Sequence, residues 1–239
     1  KFEEHMRKFD IISKENEKAV SLKKTGDIVK VSTSKGAYEA RAVIIASGKR
    51  SKELNVPGEN EFKNKGLTYC ATCDAPLFLS KEVAIIGGGN SALDAALQLM
   101  RIARHVYIIN INPELGGDAI MRHKVLESSI VDVFNNARTT AVLGDKMVNA
   151  IRIKQDEAER VLPVEGVFVE IGLKPNSEFT EGIEKNDFNE IKVNNRNETN
   201  ISGIFAAGDV TDVPEKQIVI AAGEGSKAAL SAFGYLLRR

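Results

Sequence analysis

Cys70 and Cys73 are the only cysteines in a chain of 239 residues, and they stand three positions apart with Asp74 directly after the second. In a Cys-x-x-Cys spacing the two sulfurs can close a small disulfide ring, and one thiol can have a depressed pKa, so the pair can cycle. Zinc is the competing chemistry, but a structural zinc site needs four ligands. The three histidines, His5, His105 and His123, are scattered and show no ligand spacing. A third reading is two inert, buried cysteines, although unrelated cysteines seldom fall at this spacing beside an acid. The expectation is a redox pair and no metal site. The Asp74 carboxyl beside the second thiol would deliver or take the proton of each half-cycle; its plainer role is a turn or helix cap before Pro76.

A second stretch with chemical meaning follows at once. Val83-Ala84-Ile85-Ile86 is a short apolar run of the kind buried in a parallel sheet. Gly87-Gly88-Gly89 turns the chain, and Asn90-Ser91-Ala92 opens a segment with Leu93, Leu97 and Met100 on one stripe, helical to about Ile102. The pattern Gly87, Gly89, Ala92 fits G-x-G-x-x-[GA], with a tight turn, a backbone approach to pyrophosphate and a close helix–strand contact. The helix N-terminus would supply N–H donors to the phosphates. Alone this motif is weak; the strand before it and the second strand Val106–Ile109 complete the context it requires. The plainer reading is a merely tight turn between a strand and a helix. After Ile109 come Asn110, Ile111, Asn112, Pro113 and Glu114, with Arg122 and Lys124 further on. This offers neither a plain acid for the ribose 2′-hydroxyl nor an arginine pair for a 2′-phosphate, and the reading leans to NADH. A thiol pair beside such a site implies electrons passing from a pyridine nucleotide to a disulfide.

The elements that must position these residues fit one large domain or two small ones. Apolar content of 43% and charged content of 28% are ordinary for a globular chain. Zero net charge gives no reason to expect nucleic acid or an anionic membrane surface as partner. No apolar run approaches roughly 18 residues and no signal peptide is visible, so no membrane is expected. Two cysteines used as a redox pair fit a reducing cytoplasm. Lys1–Asp10 reads as a charged helix with Phe2, Met6 and Phe9 on one side, and Ile28–Thr33 with Ala37–Ala40 as a small hairpin-like sheet. Arg41–Gly48 reads as a buried strand, with a loop and domain crossing near Pro57. Val125–Val131 continues a short helix, Val148–Ile153 and Gly166–Gly172 are strands, and Pro175-Asn176 marks a second crossing. Gln217–Leu237 has helical spacing with several small residues, which pack tightly or admit a cofactor ring.

These residues together resemble the low-molecular-weight thioredoxin reductases and the related flavoprotein subunit of alkyl hydroperoxide reductase. Cys70-Ala-Thr-Cys73-Asp74 is similar to the family's active-site motif, and Gly87 to Ala92 to its nicotinamide-nucleotide turn. Gly166–Asn176 resembles the segment closing the nucleotide domain. Gly203-Ile-Phe-Ala-Ala-Gly208-Asp209 resembles the flavin motif, and Lys216-Gln217-Ile218 with Gly223–Gly225 the segment lying against the flavin ring. The resemblance implies two doubly wound Rossmann-like α/β domains: a FAD domain of residues 1–50 and 177–239, split around a NAD(P)-binding domain of residues 51–176. It implies that NAD(P)H reduces FAD and FAD reduces the Cys70–Cys73 disulfide, with Cys73 facing the flavin, Cys70 attacking the partner and Asp74 handling protons. The implied partner is thioredoxin or a glutaredoxin-like protein, the implied state a homodimer whose domains rotate between half-reactions.

The chain departs from the family pattern in two places. No strand with a G-x-G-x-x-G turn for the ADP part of FAD precedes Arg41, where the family has a βαβ unit of about 30 residues. The arginine signature for a 2′-phosphate is missing after Ile109. The alternative to a reductase is therefore a fragment or degenerate relative that binds NAD(P)(H) without tight FAD and has little or no reductase activity.

Overall fold

A computed structural model describes residues 1–239, apart from the side chain of Phe2. The chain forms two compact units, Lys1–Arg50 with Lys174–Arg239, and Ser51–Leu173. Strands β5 (Lys49–Ser51) and β14 (Leu173–Pro175) lie where the chain passes from one to the other.

The unit Ser51–Leu173 is built on a parallel sheet of five strands, β6 (Leu67–Thr68), β7 (Glu82–Ile86), β8 (His105–Ile109), β9 (Val131–Phe134) and β13 (Gly166–Val169). Their order is β6-β13-β7-β8-β9. Ile85 stands opposite Ile108 on one side and Phe168 on the other. The near-continuous apolar runs of β7 and β13 follow from cover on both faces, with successive side chains pointing to opposite sides. Val83, Ile85, Val106, Ile108 and Phe168 face helix α4 (Asn90–Leu99), whose Ala92, Leu93, Ala96 and Leu99 are fully buried. Ala84, Ile86, Ile109, Val167 and Val169 face an antiparallel sheet of β10 (Ala137–Gly144), β11 (Val148–Gln155) and β12 (Ala158–Pro163), through Val142, Ile151 and Ile153. One face thus carries helix and the other carries strands.

The helix expected over 125–131 lies earlier, as α5 (Ala119–Leu126). The Asp118 carboxylate starts it there by accepting the N–H groups of Ile120 and Met121 at 2.9 and 3.0 Å. Val131 instead begins β9 and pairs with Val106. Helix α4 stops at Leu99, short of Ile102, where the chain tightens into a turn with Ile102 N–H on the Leu99 carbonyl.

In the other unit β1 (Ala19–Thr25), β2 (Ile28–Thr33) and β3 (Ala37–Ala40) form an antiparallel meander. β4 (Val43–Ile45) pairs in parallel with β15 (Ile204–Ala206). The strand is shorter than the expected 41–48, and Ile44 on it is 38% exposed. Leu22, Val29, Ile45, Ile183, Ile191, Ile204 and Val210 make the core. Helix α6 (Ile218–Leu237) lays Ala228 and Ala232 on Phe205 and Ala207, and starts after Gln217 as N-cap. At the N-terminus α1 covers Phe2–Met6 only; Met6 and Phe9 are exposed, and the side chain of Phe2 lies outside the described residues. Among the described residues no helix is long and apolar enough to cross a membrane.

Candidate active site

Cys70 and Cys73 are joined as a disulfide. Cys70 is the N-cap of a single helical turn, α3 (Ala71–Asp74), and its Sγ accepts the Cys73 N–H at 3.2 Å. Pro76 follows in a 3₁₀ turn over Ala75–Phe78, and Phe78 anchors it edge-on against Phe168. Cys73 is exposed and Cys70 half-buried. The Thr68 hydroxyl binds both sides of the motif: it accepts the Cys70 N–H at 3.2 Å and donates to the Asp74 carboxylate. Asp74 in turn gives its N–H to the Cys70 carbonyl at 3.1 Å. The acid is therefore held against the disulfide turn from two directions, as side chain and as backbone.

The glycine turn lies at the carboxyl end of β7. Gly87 has φ 139°, and a Cβ there would run into the Glu170 carbonyl. A Cβ on Gly88 would press into the Asn110 amide. Gly89, the N-cap of α4, has nothing within 4 Å of where a Cβ would stand, so its backbone is open to an incoming group. Asn90 accepts the Asp118 N–H at 2.7 Å and ties the first turn of α4 to the next loop. Ser91 is exposed at the same rim, while Ala92 is fully buried behind the turn. A cleft of about 840 Å³ opens here, walled by Leu54–Pro57, Gly87–Ser91, Asn110–Asn112, Thr139 and Glu170–Gly172. Volume, open backbone and the amide end of a ten-residue helix suit a dinucleotide with its pyrophosphate at Gly89.

Three residues of this cleft carry roles that spacing did not disclose. Asn110 is buried and committed to its own loop, donating to Asn112 O at 3.1 Å and Asn135 Oδ1 at 2.8 Å. Arg138 lines the cleft as a cation, whereas Arg122 is turned to the Leu115 carbonyl at 3.0 Å. Glu170, at the end of β13, accepts the Ala71 N–H at 3.3 Å. Burial pushes its carboxyl up to about 7, and the charge of Asp94 on α4 adds to the rise, against the Ala71 bond. A buried neighbour, Glu59, holds the cleft wall by accepting the N–H groups of Leu54 and Asn55, each at 2.7 Å.

In the other unit, Gly208, Asp209 and Ile218 share a cleft of about 300 Å³ with Ala46, Gly48, Ala207, Ala221 and Gly225. Gly208 has φ 72°, and its small neighbours leave room for a flat ring beside the Asp209 carboxylate. Gln217 caps α6 next to Ile218. The Lys216 ammonium, which feels the charge of Asp209, donates to the carbonyls of Thr211, at 2.6 Å, and Val213, and pairs with Glu190 at 3.4 Å. Lys49 also pairs with Glu190, so one carboxylate holds two lysines.

The sequence profile of the pyridine nucleotide-disulphide oxidoreductases matches residues 3–225. The chain is 43% identical to an NADH dehydrogenase of Ferdinandcohnia aciditolerans over 99% of its own length and 46% of that protein's. It is 42% identical to the F component of the alkyl hydroperoxide reductase of Staphylococcus aureus, over 98% and 47%. The chain thus spans about half the length of the curated relatives it matches. Among solved structures it is similar to the thioredoxin reductase of Streptococcus pyogenes, with TM-score 0.86, 28% identity and coverage of 92% of this chain and 74% of that one.

Proposed function

Because the chain belongs to the pyridine nucleotide-disulphide oxidoreductase family, we propose that it works as a flavoprotein disulfide reductase of the thioredoxin-reductase type. Electrons pass from NAD(P)H, with NADH favoured, by way of FAD to Cys70–Cys73 and on to a protein disulfide. The observation that carries this reading is one residue with two contacts: Glu170 receives the first N–H of the disulfide helix and packs its carbonyl against Gly87 of the nucleotide turn. The disulfide turn and the glycine turn are thus neighbours within Ser51–Leu173.

Residues 51–173, with the short continuation to 176, act as the NAD(P) domain, and residues 1–50 with 177–239 as the FAD domain. Gly208, Asp209, Gln217 and Ile218 would hold FAD, which when bound supplies a two-electron relay between dihydronicotinamide and disulfide. Lys216 supports that segment from behind through Thr211, Val213 and Glu190. In the nucleotide cleft, Gly89 and the first N–H groups of α4 bind the pyrophosphate, and Ala92 lets the helix approach.

Reduction of Cys70–Cys73 takes two electrons and two protons and breaks the S–S bond. Cys70 as thiolate then attacks the partner's disulfide, forming a mixed disulfide and expelling a partner thiolate. Cys73 attacks that mixed disulfide, the Cys70–Cys73 bond re-forms, and the partner leaves as a dithiol. Asp74 takes and returns the protons, held in place by Thr68. A relative's name, thioredoxin reductase, supports thioredoxin or a glutaredoxin-like protein as partner. The working form is a cytoplasmic homodimer.

The test is an absorbance titration of the chain with FAD, followed by anaerobic NADH and then oxidised thioredoxin. The reading predicts a flavin band that bleaches with NADH and recovers with thioredoxin in the native protein but not in C70S. Recovery in C70S at the native rate would refute it.

A further inference from the structure

The nucleotide cleft has two ends of different chemistry. In the strand order β6-β13-β7-β8-β9 the glycine turn follows β7, with β8 on one side and β13 on the other. A dinucleotide whose pyrophosphate sits at such a turn places its adenosine ribose over the end of the following strand. That strand is β8, followed directly by Asn110, so the nicotinamide half falls on the β13 side, where Glu170 stands. Glu170 lines the cleft directly, and one of its carboxyl oxygens is already taken by the Ala71 N–H. Glu53 lines the same cleft but is exposed, and Arg138 belongs to the strand after the adenosine side.

Resting on the nucleotide-site reading above, we propose that Glu170 is the group that distinguishes oxidised from reduced nucleotide. Its carboxylate faces the nicotinamide ring and favours the cationic ring of NAD⁺ over the neutral ring of NADH. Transfer of a hydride from NADH, carrying two electrons and the C4 hydrogen, leaves that ring with one positive charge. A carboxylate within several ångströms of it is worth about a threefold to tenfold preference in a half-solvated site. Glu170 also carries the disulfide helix through Ala71, so the charge of the ring and the setting of Cys70 meet at one side chain.

The charges around Glu170 are few. Asp94 on α4 faces it and holds its proton on; Asp74 on α3 is bonded to Thr68; the cysteines are joined and carry no charge. Because burial brings the carboxyl to about 7, the preference for NAD⁺ should rise as pH passes from 6 to 8.

The experiment measures binding of NADH, NAD⁺ and ADP-ribose to the chain from pH 5.5 to 8.5, with the native protein and E170Q. NADH is followed by its own fluorescence, and the others by its displacement or by calorimetry. The inference expects the ratio of NADH to NAD⁺ dissociation constants to rise about threefold to tenfold across this range in the native protein and to stay flat in E170Q. ADP-ribose, which lacks the ring, should bind both proteins alike. Identical ratios in the two proteins would overturn the inference while leaving the nucleotide site standing. An equal loss of ADP-ribose and NAD⁺ affinity in E170Q would also overturn it, since Glu170 would then act only through the fold. Absence of binding by all three ligands to the native protein would refute the nucleotide site itself.

Discussion

Glu170 Oε1 accepts the backbone N–H of Ala71 at 3.3 Å, across 99 positions of sequence. Ala71 lies between the two cysteines, and Glu170 directly follows the strand Gly166–Val169 beside the glycine turn. The bond therefore joins the two chemical features of Ser51–Leu173 through a carboxyl that burial holds at about 7.

That carboxyl has a stability signature. Its folded pKa lies above its unfolded value, so between about 4.5 and 7 the folded chain keeps a proton that the unfolded chain has released. Stability contributed by the neutral form is lost as pH rises through 7. E170Q removes the effect and should be more stable than the native chain at pH 8 by about 1–2 kcal/mol, after allowing for the partly solvated position. Denaturant midpoints at pH 5 and pH 8 check this, with the gap expected to narrow at pH 5.

Two of the turn glycines should separate fold from function. G87A places a side chain at φ 139° and against the Glu170 carbonyl, and should cost about 2–4 kcal/mol. G89A meets no neighbour and should leave the melting temperature nearly unchanged while weakening NADH binding about tenfold or more, because the Cβ stands where the pyrophosphate must approach. Thermal melts and NADH titrations of the two variants read these outcomes side by side.

Glu59 is 2% exposed and accepts hydrogen bonds from Leu54 N, Asn55 N and the Tyr69 hydroxyl. Burial, and then the bond to Glu59, raises the Tyr69 phenol above its usual range. E59A strands two backbone donors and should cost about 2–4 kcal/mol, with Y69F nearer to about 1 kcal/mol. Since Leu54–Pro57 wall the nucleotide cleft, E59A should also raise the NADH dissociation constant, measured at a temperature where the variant is folded.

Glu190 has the opposite pH behaviour to Glu170. Burial alone would raise its pKa, but hydrogen bonds from Lys49 and Asn186 and the charges of Lys216 and Lys49 bring it below the ordinary value. Its contribution is present above about 4.5 and is lost as pH falls through the depressed value. E190Q leaves Lys49 and Lys216 facing each other and should destabilise the chain by about 3–5 kcal/mol. Urea unfolding at pH 7 tests it.

The unit from Val83 to Ile109 was legible because its determinants are local: an apolar run, three glycines, a small residue at position 92 and a helical stripe. The thiol pair was legible for the same reason. The antiparallel sheet over the second face was only partly so, since Val148–Ile153 reads as a strand but Ala158–Pro163, mostly exposed and without an alternating pattern, is a strand only by pairing with it. The buried and half-buried carboxylates were not legible at all. Glu59, Glu170 and Glu190 look like surface residues in the sequence, and two of their decisive partners, Ala71 and Lys49, are 99 and 141 positions away. The partners of Lys216 were not legible either: it binds Glu190, 26 positions away, and two nearby carbonyls.

The most direct test of the account counts thiols. The chain is incubated anaerobically with FAD and NADH, alkylated, and its mass determined at Cys70 and Cys73. The account predicts that both cysteines become labelled with NADH present and neither without it, and that G89A needs about tenfold more NADH for the same labelling. A nucleotide that is oxidised while the Cys70–Cys73 bond stays intact would contradict the claim that its electrons go to this disulfide.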